Sequence, residues 1–212
     1  MMEVQVLTYK RLDFLKRTVE TFIEKNPKLC EELTFRILIQ EATDDEVSAV
    51  HNFGLFNEIH VTALNIGNSL GYNMLSKASL RKKPEFILHL EDDWESLESL
   101  EPYMEEIEIM FRLHPDVGQI RLRNFKSRVC KSNKITGERV LQMQCTPTIY
   151  KGAWHFTLNP TITRASVIKS IIPFPSELMA VKNYHALGLQ SAQLHASVFS
   201  HIGNERSTNW KP

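Results

Sequence analysis

The chain has 212 residues, 42% of them hydrophobic and 24% charged, the composition of an ordinary globular protein with a substantial core. Its 25 basic residues balance 25 acidic ones, so there is no global charge with which to hold polyanions or a membrane surface. No apolar run approaches the roughly 20 residues needed to span a bilayer, and the amino terminus is strand-like, which predicts a cytoplasmic protein without a transmembrane segment. Cys30, Cys130 and Cys145 are too scattered for a disulfide framework or a thiolate metal site and are read as reduced.

In chain order, Glu3 to Tyr9 is strand-like, and Leu12 to Lys25 carries Leu15, Val19 and Phe22 at helical spacing. Thr34 to Gln40 is a second strand, and Thr43-Asp-Asp-Glu46 opens a helix with a capping-box pattern. A strand over Ile59 to Leu64 and a helix over Ser69 to Leu80 follow. Phe86 to Leu90 is the fourth strand, Leu97 to Leu113 a helix and Val117 to Leu122 the fifth strand. This alternation predicts an α/β protein with a mostly parallel, Rossmann-like sheet, flanked by helices on both faces. The remainder is less regular: a hairpin over 138 to 150, a short strand at Phe156 to Leu158, helices over Arg164 to Ile171 and Ser176 to Leu187, and a last strand over Ala196 to His201. No linker separates it from the first part, so one domain is expected over 1–212.

The fourth strand ends on Glu91-Asp92-Asp93, and strand C-termini are where open α/β sheets bind ligands. Three clustered carboxylates repel one another unless a cation sits among them, which points to Mg2+ or Mn2+ carrying phosphate oxygens. The same triplet also fits a simple helix cap.

With these motifs in this order, the chain resembles the family 2-like glycosyltransferases with the GT-A fold. Val6-Leu-Thr-Tyr-Lys-Arg11 is similar to that family's opening strand and turn, and Gln40-Glu-Ala-Thr-Asp44 stands at its second acidic position, with Glu41 where Asp is usual. Asn65-Ile-Gly-Asn-Ser-Leu-Gly-Tyr-Asn73 resembles its Asn-x-Gly segment, and Glu91-Asp92-Asp93 its DxD motif, with Glu in first place. Phe156 to Pro160 and Ser200-His-Ile-Gly203 are similar to segments that follow.

The resemblance implies a metal-dependent glycosyltransferase, in which residues 1–124 bind the nucleotide sugar and 125–212 form the acceptor side. It implies that Thr8, Tyr9 and Arg11 hold base and ribose, that Glu41 accepts a hydrogen bond from either, and that Asn65, Gly67, Asn73 and Asp92 line the donor. It makes Asp93 the ligand of Mn2+ or Mg2+, with Glu91 facing ribose or metal and His201 as second protein ligand, imidazole favouring Mn2+. The donor expected is a uridine diphosphate sugar. Plain structural readings stand beside these: Gly67 and Gly71 as turn and packing glycines, Asn73 as a satisfied helix residue, His201 as a hydrogen-bonded histidine.

The acceptor side is thinner. Glu177 is the sole carboxylate between residues 160 and 190, and is either the general base or a first-turn helix acid, with His155 and His185 as rivals. Trp154 and Phe156 offer an apolar platform or core packing. Arg121, Arg123, Lys126, Arg128, Lys131 and Lys134 form a basic stretch without an acid, which suits either an anionic acceptor such as nucleic acid or a solvated loop. The Gly-rich phosphate loops of nucleotidyltransferases, P-loop enzymes and dinucleotide oxidoreductases are absent. The alternative to an enzyme is a sugar-nucleotide-binding or glycan-binding module on a degenerate transferase scaffold.

Overall fold

A computed structural model describes residues 1–123, 143–152 and 155–203. The first part alternates as expected, with one short helix, α2, added: β1 (Met2–Tyr9), α1 (Leu12–Lys25), α2 (Pro27–Glu32), β2 (Thr34–Gln40), α3 (Asp44–Asn52), β3 (Glu58–Thr62), α4 (Gly67–Leu80) and β4 (Phe86–Glu91). The capping box of α3 forms, with Thr43 Oγ1 accepting from Glu46 N and the Glu46 carboxylate accepting from Thr43 N. After β4 come β5 (Trp94–Ser96), a 3-10 turn (Glu101–Tyr103), α5 (Met104–Leu113), β6 (Val117–Arg121), β7 (Met143–Gln144), β8 (Ile149–Gly152), β9 (Thr161–Arg164), α6 (Ala165–Ile171), α7 (Glu177–Ala186), β10 (Gln190–Leu194) and β11 (Phe199–His201).

Among the described residues, nine strands form one sheet in the order β3-β2-β1-β4-β9-β6-β10-β8-β7, and β5 pairs with β11 in a separate antiparallel ribbon. The half from β3 to β4 is parallel. In the other half β9 lies antiparallel between β4 and β6, and β8 is antiparallel to β10, so the sheet as a whole is mixed. From β1 the chain runs outward through β2 and β3, then returns to place β4 on the other side of β1. The carboxyl ends of β1 and β4 therefore form a topological switch point, where α/β sheets open a crevice.

Alternation along the strands divides the core. Val4, Val6, Ile37, Ile39, Leu88 and Leu90 face α1, α2, α3 and α5, where Leu15, Val19, Phe22, Ile107 and Phe111 cover them. Ile87 faces the second layer, built from Tyr72, Phe156, Ile168, Phe174 and Tyr184 of α4, α6, α7 and the loops between them. That face also buries polar groups in pairs, among them Glu3 with Arg36 and Gln5 with His89.

Three expectations differ from the fold. The helix after the acids starts at Met104, because Pro102 holds a 3-10 turn and Trp94–Ser96 is taken up by β11. Phe156 to Leu158 is not a strand, since the Thr157 backbone bonds the Gln119 amide through both N–H and C=O instead of a ladder partner. The last strand pairs with β5 outside the main sheet. Residues 138–142 of the expected hairpin lie outside the described residues, and β7 and β8 form its remainder. No helix among the described residues is long and apolar enough to cross a membrane.

Candidate functional site

The apolar run of β4 carries the chain through the core and delivers its acids at the switch point. Asp92 turns inward and is fully buried. Its Oδ2 accepts hydrogen bonds from Thr8 Oγ1 at 2.7 Å and Tyr9 N at 3.2 Å, and its Oδ1 lies 2.5 Å from Arg11 Nη2. Its carbonyl accepts from Thr18 Oγ1 at 2.7 Å, so one residue ties β1, the following turn and α1 to β4. Burial pushes its carboxyl up to about 6, against the pull of Arg11 and the Thr8 hydroxyl. The resemblance assigns Thr8 and Asp92 to the donor, but they spend these groups on each other.

Asp93 points the other way yet is only 5% exposed. Its Oδ2 accepts from Arg11 Nη1 at 2.7 Å and lies 3.2 Å from His201 Nε2, while its Oδ1 is sealed from water without a hydrogen-bond partner among the described residues. The β5–β11 ribbon brings His201 here: His201 is in register with Trp94, the two rings lie 4.9 Å apart, and Ile202 N donates to the Asp93 carbonyl at 2.9 Å. Gly203 completes the cradle, since a β-carbon there would sit 2.3 Å from Asp93 Oδ2 and 3.0 Å from His201 Nε2. Glu91 is half-buried and accepts from Asn68 Nδ2 at 3.1 Å. Burial first, then the carboxylates of Asp93, Asp92 and Glu177, push its carboxyl up to about 8, with Arg11 opposing.

Among the described residues no three His, Cys, Asp or Glu side chains form a complete cation cage. Asp93 and His201 could hold a divalent ion as a two-residue half-site, with the imidazole against Asp93 Oδ2 and Oδ1 left over, if a ligand added further oxygens.

Around this half-site the chain bends sharply. Lys10 and Glu41, which follow β1 and β2, adopt left-handed backbone angles (φ 54° and 50°). Tyr9 Oη donates to Glu41 Oε2 at 3.1 Å and leaves the ring 36% exposed, a free aromatic face at the crevice. Asn65 Oδ1 accepts from Gly67 N at 2.8 Å in an Asx turn that starts α4. Gly71 lets α4 lie against β1, where a β-carbon would meet Leu7 Cδ1 at 2.8 Å. Asn65 and Gly67 thus shape the turn that presents Asn68 to Glu91. Asn73 is not brought to the site, because its amide bonds both the carbonyl and the N–H of Phe174.

No protein-family model and no curated protein matches this sequence. Solved structures match over most of its length. They include the mannosyltransferase PcManGT from Pyrobaculum calidifontis, seen with GDP-Man and Mn2+ (14% identity, TM-score 0.64, 97% of this chain and 58% of that one). TarS 1-349 from S. aureus matches at 16% identity and TM-score 0.60, covering 93% and 59%. GalNAc-T7, seen with UDP, GalNAc and Mn2+, matches at 10% and 0.68, covering 95% and 44%. The chain has a GT-A-like glycosyltransferase fold. It spans roughly half the length of these neighbours, and at such identities the likeness concerns the fold.

On the far side of the GT-A crevice, Glu177 begins α7 behind the Ser176 cap. Its Oε1 accepts from Leu158 N at 3.2 Å, and its charge helps raise the Glu91 carboxyl and opposes the lowering of Arg121 and Arg123. Arg121, at the end of β6, donates to the His155 carbonyl at 2.6 Å; burial and then Arg123 push its pKa down to about 10. The Arg123 guanidinium lies 5.1 Å over the Trp94 ring. His185 points its Nε2 into a buried position beside Tyr184. Phe156 is fully buried between Tyr72, Phe174 and Tyr184 and serves the core, not a platform. Trp154, Lys126, Arg128, Lys131 and Lys134 lie outside the described residues.

Sequence reasoning missed Asn68, Trp94 and Gly203 as site residues. Asn68 and Gly203 stand inside the segments that carry the resemblance, so the signal was position within a motif. Trp94 had none, because its partner His201 is distant in the chain.

Proposed function

We propose that this chain is a glycosyltransferase that moves a sugar from a nucleotide-sugar donor, with a uridine diphosphate sugar as the first candidate, to an acceptor hydroxyl or amine. The observation that carries this reading is the Asp93–His201 half-site, with its orphaned carboxylate oxygen and its glycine cradle, at the switch point of a GT-A-like sheet.

In this reading Asp93 and His201 hold Mn2+ or Mg2+, which neutralises charge on the leaving diphosphate. Tyr9 offers its ring to the base, and Glu41, already a partner of the Tyr9 hydroxyl, accepts from base or ribose. Asn68 orients Glu91 towards the sugar end. The acceptor oxygen attacks the anomeric carbon as the bond to the diphosphate breaks, and Glu177 takes the acceptor proton. The buried half-site restricts water, the competing acceptor.

Arg123, partly exposed, is a cation that would favour an anionic acceptor, a nucleic acid or a phosphorylated glycan among them, whereas Arg121 is buried against the His155 carbonyl.

The test is release of nucleoside diphosphate from a panel of nucleotide sugars by purified protein with Mn2+, using Asp93→Ala as control. Release from one donor, lost in the variant, supports the enzyme. Donor binding without release, with and without candidate acceptors, moves the reading to a degenerate binding module.

A further inference from the structure

The cation that lies among the acids in this structure is part of the protein. Arg11 spreads its guanidinium across adjacent residues, Nη2 on Asp92 Oδ1 at 2.5 Å and Nη1 on Asp93 Oδ2 at 2.7 Å. A planar fork is suited to bridging two carboxylates in this way, and it removes the repulsion that would otherwise drive them apart. The two contacts are not equivalent. Asp92 is fully buried and holds three further groups, from Thr8, Tyr9 and Thr18. Asp93 shares its first oxygen between Arg11 and His201, and its second has no hydrogen-bond partner among the described residues; Asp92 Oδ1 likewise has none beyond its ion pair to Arg11. The Arg11 side chain is 39% exposed and sits in the turn after Lys10, where it can swing about the Asp92 contact.

We propose that Arg11 is a resident counter-cation that yields Asp93 to a divalent ion and, still held by Asp92, turns its freed N–H groups to the diphosphate of the donor. A divalent ion on Asp93 would stand within a few ångströms of Nη1, and like charges at that range repel strongly in a buried site. The same swing converts a guanidinium that blocks the metal into a bidentate donor for phosphate oxygens. Arg11 is thereby a positioning residue that orders binding, with metal and diphosphate entering together. This rests on the reading above that Asp93 takes a divalent cation.

The test uses Mn2+ binding followed by electron paramagnetic resonance, and UDP or GDP binding at saturating Mn2+, on the wild type, Arg11→Gln and Arg11→Lys. Arg11→Gln is expected to bind Mn2+ about tenfold more tightly without nucleotide and to bind nucleoside diphosphate about tenfold more weakly. Arg11→Lys, a point charge that cannot span both carboxylates, is expected to fall between on both counts. It also keeps the test open if the glutamine variant is unstable. Equal or weaker Mn2+ binding in folded variants, with Mn2+ bound normally by wild type, overturns the role of Arg11 alone. Failure of every protein to bind Mn2+, with or without nucleotide, overturns the metal reading beneath it.

Discussion

Gly203 approaches Asp93 so closely that a β-carbon would stand 2.3 Å from the Asp93 Oδ2, a distance no side chain adopts. The turn after β11 is therefore fitted to the acid that follows β4, with no space at Gly203 for a side chain unless Asp93 shifts. Gly203→Ala should push Asp93 away from His201 and weaken Mn2+ binding by roughly 10–100-fold, the usual cost of disturbing support around a metal ligand. Thermal unfolding should move little, because no core residue is touched. A Mn2+ titration beside a melting curve checks both.

Adjacent acids should behave oppositely. Asp92→Ala leaves the Thr8 hydroxyl and the Tyr9 N–H without their buried acceptor and takes one of two carboxylates from Arg11, and is expected to cost about 3 kcal/mol of stability. Asp93→Ala leaves Arg11 its bond to Asp92 and should cost less than about 1 kcal/mol while abolishing metal-dependent donor binding. Urea unfolding of both variants decides it, and equal losses would contradict the division of labour.

The pattern of what the sequence could convey follows from this pair. Strand β4 is legible as an apolar run, and β1 and β2 by their β-branched and apolar residues, although the polar Glu3, Gln5 and Arg36 among them are buried too. β10, Gln-Ser-Ala-Gln-Leu, and β9, Thr-Ile-Thr-Arg, are not, since pairing with β6 and β4 makes them strands and their polar residues conceal it. At the site, the run of three acids signalled a cation but not which carboxylate faces the core, and it gave no hint that Arg11 is the cation held here. Asn73 was expected at the donor and Asn68 was not, because the two differ by which side of α4 they occupy. That depends on the approach of Phe174, about a hundred residues away.

His89 predicts a pH dependence. Burial pushes it down to about 3, with Nδ1 paired to Gln5 Nε2 at 3.2 Å and Nε2 without a hydrogen-bond partner among the described residues. The unfolded chain takes a proton near pH 6.5 and the folded chain does not, so the contribution of neutral His89 is complete above 6.5 and is lost as pH falls towards 3. Asp92 and Glu91, raised by burial, act with the opposite sign. The stability difference between wild type and His89→Leu should thus shrink below pH 6.5, by at most about 1.4 kcal/mol per pH unit. A difference that stays flat from pH 7 to 4 would show that His89 is not held neutral.

Glu177 carries the chemical step in the proposed reaction. Glu177→Gln keeps the hydrogen bond to Leu158 N but cannot take a proton, so kcat should fall by roughly 10²–10⁴-fold with the donor KM unchanged. A parallel rise in donor KM would instead assign Glu177 to donor binding.

The central claim, that Asp93 and His201 form the metal half of a sugar-nucleotide site, is tested most directly by titrating UDP and GDP sugars into the protein with and without Mn2+, in wild type, Asp93→Ala and His201→Ala. Mn2+-dependent binding of one nucleotide sugar is expected of the wild type, lost in the first variant and weakened in the second, with all three proteins folded. Binding that ignores Mn2+, or that survives in Asp93→Ala, would contradict it.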